Sequence, residues 1–206
     1  MENVVIAIFK VESEAYQAFS EVKRNSNNNE YLITQIALVK KSGGKIVTCD
    51  GYDSGITTTD DTRRDSLIGM LIGLIAGPLG MLLGASTGAL IGSSQDAKDA
   101  RQSATMIELV SEGLEEGETA MIMLARENRE DILNWNLSKF NTEIYRRDAK
   151  IVADEADAAI ALQKELKKEA KQKMRESKKA ERKAGFDSFV SKFTDENKDS
   201  GNDSEA

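Results

Sequence analysis

The stretch from Leu67 to Ile91 constrains this chain more than any other. It holds twenty-five residues without a charge, with glycine at 69, 73, 77, 80, 84 and 88 and Gly92 just beyond. Residues four apart lie one above the other on a helix, so glycines at this interval share one face, the arrangement of a glycine zipper. The interval shortens to three once, at Gly77-Pro78-Leu79-Gly80, where the only proline of the chain stands. Proline removes a helical hydrogen bond and pushes the residue before it out of helical angles. The spacing therefore predicts two helices, about Arg64 to Gly77 and Leu79 to Gly92, joined by a tight turn. Seven glycines within helices cost roughly 0.5 to 1 kcal/mol each relative to alanine. Thirteen Leu, Ile and Met side chains can each contribute roughly 1.5 to 3 kcal/mol on full burial. Burial wins, provided something covers those side chains.

The identity of that cover decides the functional reading. One unbroken helix of this length would reach about 38 Å, ample for a bilayer core of roughly 30 Å, whereas each half reaches only about 20 Å. Arg63 and Arg64 precede the run and Lys98 and Arg101 follow it. Both ends thus carry the marks of the cytoplasmic side, which suits a hairpin. The expected cover is other subunits or a membrane surface.

Composition narrows the classes. A net charge of -7 with 5% aromatic residues argues against nucleic acid as a partner. A single cysteine, Cys49, rules out an intramolecular disulfide and fits a reducing compartment. The first residues lack the basic, apolar and small-residue progression of a secretion signal. The expected location is the cytoplasm, including the inner face of the cell membrane.

Val4 to Phe9 is a continuous apolar run of strand length, the kind buried on both faces. Ser13 is placed to cap a helix carrying Tyr16, Phe19 and Val22 at helical spacing. Tyr31 to Val39 and Lys45 to Tyr52 read as strands around the turn Ser42-Gly43-Gly44. Past the glycine run, Ala97 to Glu112 reads as a helix and Thr119 to Leu124 as a buried strand. Asn128 to Phe140 reads as a helix presenting Ile132, Leu133, Leu137 and Trp135, and Thr142 to Arg146 as a last strand.

The order predicts an α+β fold, a ferredoxin-like βαββαβ sheet-and-helix domain over residues 1–148 with the glycine-zipper hairpin inserted over 64–93. In that assignment the final helix and strand are an addition. Strands on both sides of the apolar run must share one sheet, so a single membrane crossing would separate partners that need each other.

A long charged helix is expected over 149–184. Between Lys164 and Lys183 there are ten basic and four acidic residues, a local excess of six positive charges. Glu165 and Glu169 stand three and four residues before Lys168 and Lys173, so ion pairs on a solvated face are expected here rather than contact with lipid or nucleic acid. Residues 185–194 hold Phe186, Phe189, Val190 and Phe193 at i, i+3, i+4 and i+7. Such an amphipathic stretch can dock on the protein's own body, on an unidentified protein partner or on lipid. Residues 195–206 have the composition of a disordered acidic tail.

The chemical inventory is mostly negative. The chain has no histidine, the commonest general base and metal ligand. Gly84-Ala85-Ser86-Thr87-Gly88 fits the G-x-S-x-G pattern of a nucleophile elbow, but nothing is present to activate Ser86 and the zipper already accounts for its glycines. Asp195, Asn197 and Asp199 begin like a calcium loop, but Ser200 replaces the required glycine and Ala206 the bidentate glutamate. Asp50, Asp53, Asp60 and Asp61 read as turn and cap residues, and Cys49 as a small core residue. The expectation is no enzyme, no cofactor and no metal.

A family resemblance rests on Val11-Glu12-Ser13-Glu14-Ala15-Tyr16, Asp50-Gly51-Tyr52-Asp53-Ser54-Gly55, Asp60-Asp61-Thr62 and, above all, Gly77-Pro78-Leu79-Gly80. With these the chain resembles, from about Met1 to Lys183, a bacterial and archaeal family of unknown function, number twelve sixty-nine. The resemblance implies no activity to carry over. Two readings remain. The chain is a non-catalytic homo-oligomer that assembles, or meets a membrane, through Gly69, Gly73, Gly77, Pro78, Gly80, Gly84, Gly88 and Gly92; or it is a small-molecule- or ion-sensing regulatory module.

Overall fold

The computed structural model describes residues 1–56, 67–77 and 104–199. Its strands are β1 (Glu2–Phe9), β2 (Tyr31–Ser42), β3 (Lys45–Asp53), β4 (Thr119–Glu127) and β5 (Thr142–Asp148). Its helices are α1 (Glu12–Arg24), α2 (Leu67–Ile75), α3 (Met106–Ser111), α4 (Glu130–Leu137) and α5 (Ala149–Asp199). The chain divides into two compact units, Met1–Ile160 and Ala161–Ala206.

The five strands form one sheet in the order β3-β2-β4-β1-β5, with every neighbouring pair antiparallel. This α+β sheet departs from the ferredoxin-like assignment expected from the first four strands, because the strand order differs. Burial explains the difference. β1 and β4 are apolar on both faces and take the middle, whereas β3, largely exposed, lies at a rim and pairs only with β2. β5, which the sequence reading treated as an addition, forms the other rim beside β1.

Alternation along the strands sends side chains to two separate cores. Val5, Ala7 and Phe9 of β1 and Met121, Met123 and Ala125 of β4 pack beneath α1 and α4, which contribute Ala15, Ala18, Phe19, Val22, Leu133 and Leu137. Val4, Ile6, Ile8, Ala120, Ile122 and Leu124 pack on the opposite side, beneath α2, α3 and the start of α5. The continuous apolar runs of β1 and β4 thus reflect burial on both faces. A register shift between Ile33 and Gln35 keeps β2 in phase with this division, so that Ile33 and Ile36, three apart, enter the same core.

Local chemistry fixes the connections. Gly43 and Gly44 turn the β2–β3 hairpin with φ of 60° and 71°, a region where a side chain would be strained. The Glu116 carboxylate accepts from both of their N–H groups, at 2.6 and 3.1 Å. Val11, not Ser13, precedes the first turn of α1, and no side chain caps it. Thr105 caps α3 in a reciprocal capping box with Glu108, at 3.2 and 2.9 Å.

A buried ion pair ties α4 to the sheet. Arg146 of β5 donates from Nε to Glu127 Oε2 at 2.8 Å and from Nη2 to Oε1 at 2.9 Å. Asn3 Nδ2 donates to the same carboxylate at 3.1 Å, and Arg146 also donates to Asn134 Oδ1 of α4 at 3.0 Å. Elsewhere Arg147 donates to Glu155 Oε1 at 2.6 Å and to the Ala104 carbonyl at 2.9 Å, joining β5, α5 and the approach to α3.

Both rims of the sheet are poorly suited to further pairing. β3 is interrupted by a register shift opposite Leu38 and Val39 and carries Asp50, Gly51 and Asp53. β5 has seven residues, four of them charged. α5 runs through Gly185, where the sequence reading ends its helix, as far as Asp199.

Candidate functional site

α2 is the described part of the glycine run, and one side of it is spent on the sheet. Leu67, Ile68, Leu71, Leu74 and Ile75 are buried in the core they share with β1, β2 and β4. This corrects the expectation that these side chains need a cover from outside the chain. The sheet itself needed covering on two faces, and α1 with α4 could supply only one. The backbone N–H of Ile68 donates to Gln35 Oε1 at 3.3 Å, which fixes the start of α2 to β2.

The other side of α2 is the zipper face. Gly69, Gly73 and Ala76 are exposed, and Met70 and Ile72 between them are half-buried. No described atom lies within 4 Å of the place a Cβ would take at Gly69 or Gly73. α2 carries no polar side chain at all, so its outward face offers water nothing to hydrogen-bond. Gly77 follows at a bend; Pro78, Gly80, Gly84, Gly88 and Gly92 lie outside the described residues.

Beside α2 runs an open groove of about 460 Å³, floored by Ile36, Ala37 and Gly51, walled by Ile68 and Gly69, and rimmed by Gln35 and Asp53. Two glycines and an alanine leave this space unfilled. Its polar groups are already engaged. Gln35 Nε2 donates to Asp53 Oδ2 at 3.2 Å, Asp53 Oδ1 accepts from the Gly55 N–H at 2.8 Å, and the Tyr52 hydroxyl bonds Ser26 Oγ at 3.1 Å.

A second group of ionisable side chains lies where α1 crosses β2 and β3. Lys40 Nζ donates to Glu12 Oε2 at 2.6 Å, and that bond holds the ammonium above its ordinary range. Burial, then the neighbouring Cys49, pushes the Tyr16 phenol up. Cys49 is half-buried on the rim strand and packs against the core beneath α1 and α4, its thiol bonded to the Val47 carbonyl at 3.8 Å. Asp50 lies within β3 rather than in a turn and accepts from the Gly51 N–H at 2.7 Å, and Asp60 and Asp61 lie outside the described residues. Among the described residues no group of three His, Cys, Asp or Glu side chains is placed to hold a metal ion.

Trp135, expected among the residues α4 presents to the core, is 75% exposed. Phe186 is 66% exposed on α5, and positions 189, 190 and 193 belong to the same helix. No described helix is long and apolar enough to cross a membrane. Sequence reasoning missed the Thr105–Glu108 box, although T-x-x-E before an apolar run is its recognised signal. It also missed the Glu127–Arg146 pair, which has no signal in a single chain because strand β1 separates the two strands that carry it.

Fold and site together define an α+β sheet protein with a helix layer on each face, one of whose helices is apolar all round. Residues 64–163 match the family model described as "Protein of unknown function (DUF1269)". The match takes in α2, α3, β4, α4, β5 and the first part of α5, a shorter span than the resemblance read from the sequence. No curated protein and no solved structure matches the chain.

Proposed function

We propose that this is a non-catalytic protein of the cytoplasm that self-associates through the outward glycine face of α2, at or near the inner face of the cell membrane. The observation that carries this reading is the composition of α2. A helix apolar all round is ordinarily buried all round, and here the described residues bury one side only. Glycines four apart let a second helix approach closely, with Met70 and Ile72 supplying apolar flanks. The engaged polar groups of the groove, together with a sequence free of histidine, favour an assembly role over catalysis. A ferredoxin-like relation, on a different assignment of strands from the one read along the sequence, draws support from β1-α1-β2 and β4-α4-β5, whose strands stand in the order β2-β4-β1-β5 once β3 is set aside.

The test is the mass of the native protein by light scattering. Wild type is expected to form a defined oligomer that Gly69→Leu with Gly73→Leu dissociates, since no described atom lies within 4 Å of a Cβ at either position. A wild type that is monomeric without detergent would end the proposal. A second reading, a small-molecule-sensing module, draws on the groove, whose volume is that of a ligand pocket. It expects a ligand to raise the melting temperature of wild type and not of Gly69→Leu.

A further inference from the structure

The second unit carries a surface that the sequence reading divided in two. Because α5 is one helix through Gly185, its basic segment and its phenylalanines can be placed on a common axis. Steps alternating between three and four residues hold one face of a helix. Lys164, Lys168, Lys171, Arg175, Lys178 and Arg182 follow such steps. The next steps in the same row are Phe186, Phe189 and Phe193. The row therefore continues from cations into aromatics over about 44 Å of helix at 1.5 Å per residue. Glu165, Glu169 and Glu176 stand one residue further on, about 100° round the helix.

Every residue from Lys164 to Lys183 is exposed. The ion pairs expected between Glu165 or Glu169 and the following lysines are absent: none of the ten basic side chains of this stretch forms one among the described residues. Within the stretch they outnumber the acidic side chains ten to four. The stretch carries +6 in a chain of -7, which leaves -13 on everything else. A second copy of the same helix would bring like charge against like along this row, so the row calls for an anionic partner.

We propose that this row docks on an anionic lipid surface, with the lysines and arginines against the headgroups and the phenylalanine end set into the headgroup boundary. Neither part suffices alone. A polybasic stretch is drawn to acidic lipid but is released by salt, and a few apolar side chains hold weakly; together they make the two-signal anchor of a peripheral protein. The Phe186 side chain, 66% exposed at the point where the two parts meet, has nothing else covering it among the described residues. This surface is separate from α2 and does not depend on the reading given for it.

The experiment is co-sedimentation of the full-length chain with two sets of vesicles, phosphatidylcholine alone and phosphatidylcholine mixed with phosphatidylglycerol. Far-UV circular dichroism and oligomer mass are recorded for each variant. Wild type is expected to bind the mixed vesicles and to lose that binding as salt is raised. Replacing Lys171, Arg175 and Lys178 together by glutamine should weaken it by about a hundredfold, at roughly one kilocalorie per cation. Phe186→Ser with Phe189→Ser should weaken it by about tenfold while leaving the salt dependence in place. Equal binding to both vesicle sets would overturn the proposal and point to the apolar face of α2. Unchanged binding by the glutamine variant would overturn it too, as would tighter binding of a fluorescent RNA or DNA duplex that the serine variant leaves intact.

Discussion

The two faces of the sheet are covered by helices of opposite kinds. α1 and α4 are amphipathic: Ala15, Phe19, Leu133 and Leu137 go inward, while Glu21 of α1 pairs with Lys139 just past α4 on the outside. α2 performs the same inward task with Leu67, Leu71 and Leu74 but has only glycine, alanine and half-buried Met and Ile to show outward. The first layer is complete as it stands. The difference shows that covering a sheet and finishing a surface are separate requirements, and among the described residues only the second is left open at α2. The layers also differ in how they are held, by a buried ion pair at α4 and by apolar contact at α2.

Arg146→Ala should produce the largest effect, because it leaves the fully buried Glu127 carboxylate without its charge partner. A loss of about 3 to 5 kcal/mol is expected in urea denaturation, with α4 released first. Leu71→Ala tests the other face, where the side chain is 1% exposed. It should lower stability by about 2 to 5 kcal/mol in the same assay, and a loss well below that would mean α2 is a loose cover. The smallest effect is at the hairpin between β2 and β3. The N–H groups of Gly43 and Gly44 hold the Glu116 carboxyl below its ordinary value of 4.5. A lowered carboxyl adds stability above its unfolded value and loses it as pH falls through the folded one. Protection of the Gly43 and Gly44 amides, measured against the intrinsic exchange rate at each pH, should therefore fall only below about pH 4.5, and Glu116→Gln should remove that dependence.

Much of the body was readable from residue patterns. Val4 to Phe9 announced a strand buried on both faces, and Ser42-Gly43-Gly44 announced the hairpin. The same apolar run of β1 also implied a second helical layer. The leucines of α2 were read as a surplus needing an external cover because that demand was not set against them. Strand order was hidden because the antiparallel pairs between β1, β4 and β2 join residues far apart in the chain, and local periodicity carries no partner identity. Trp135 lies two residues, about 200° round the helix, from both Leu133 and Leu137, so helical periodicity itself sets it outward. On α5, charge spacing suggested ion pairs from Glu165 and Glu169 that are absent among the described residues. Gly185 suggested a stop, although an exposed helix tolerates one glycine at a cost of about 1 kcal/mol.

The guarded rims of the sheet bear on how copies of this chain can meet. With β3 kinked and acidic and β5 short and charged, lateral growth strand by strand is closed at both ends, and with it the commonest path to fibrous aggregates. A copy of this chain that meets another is left with helical surfaces rather than strand edges as its ground of contact.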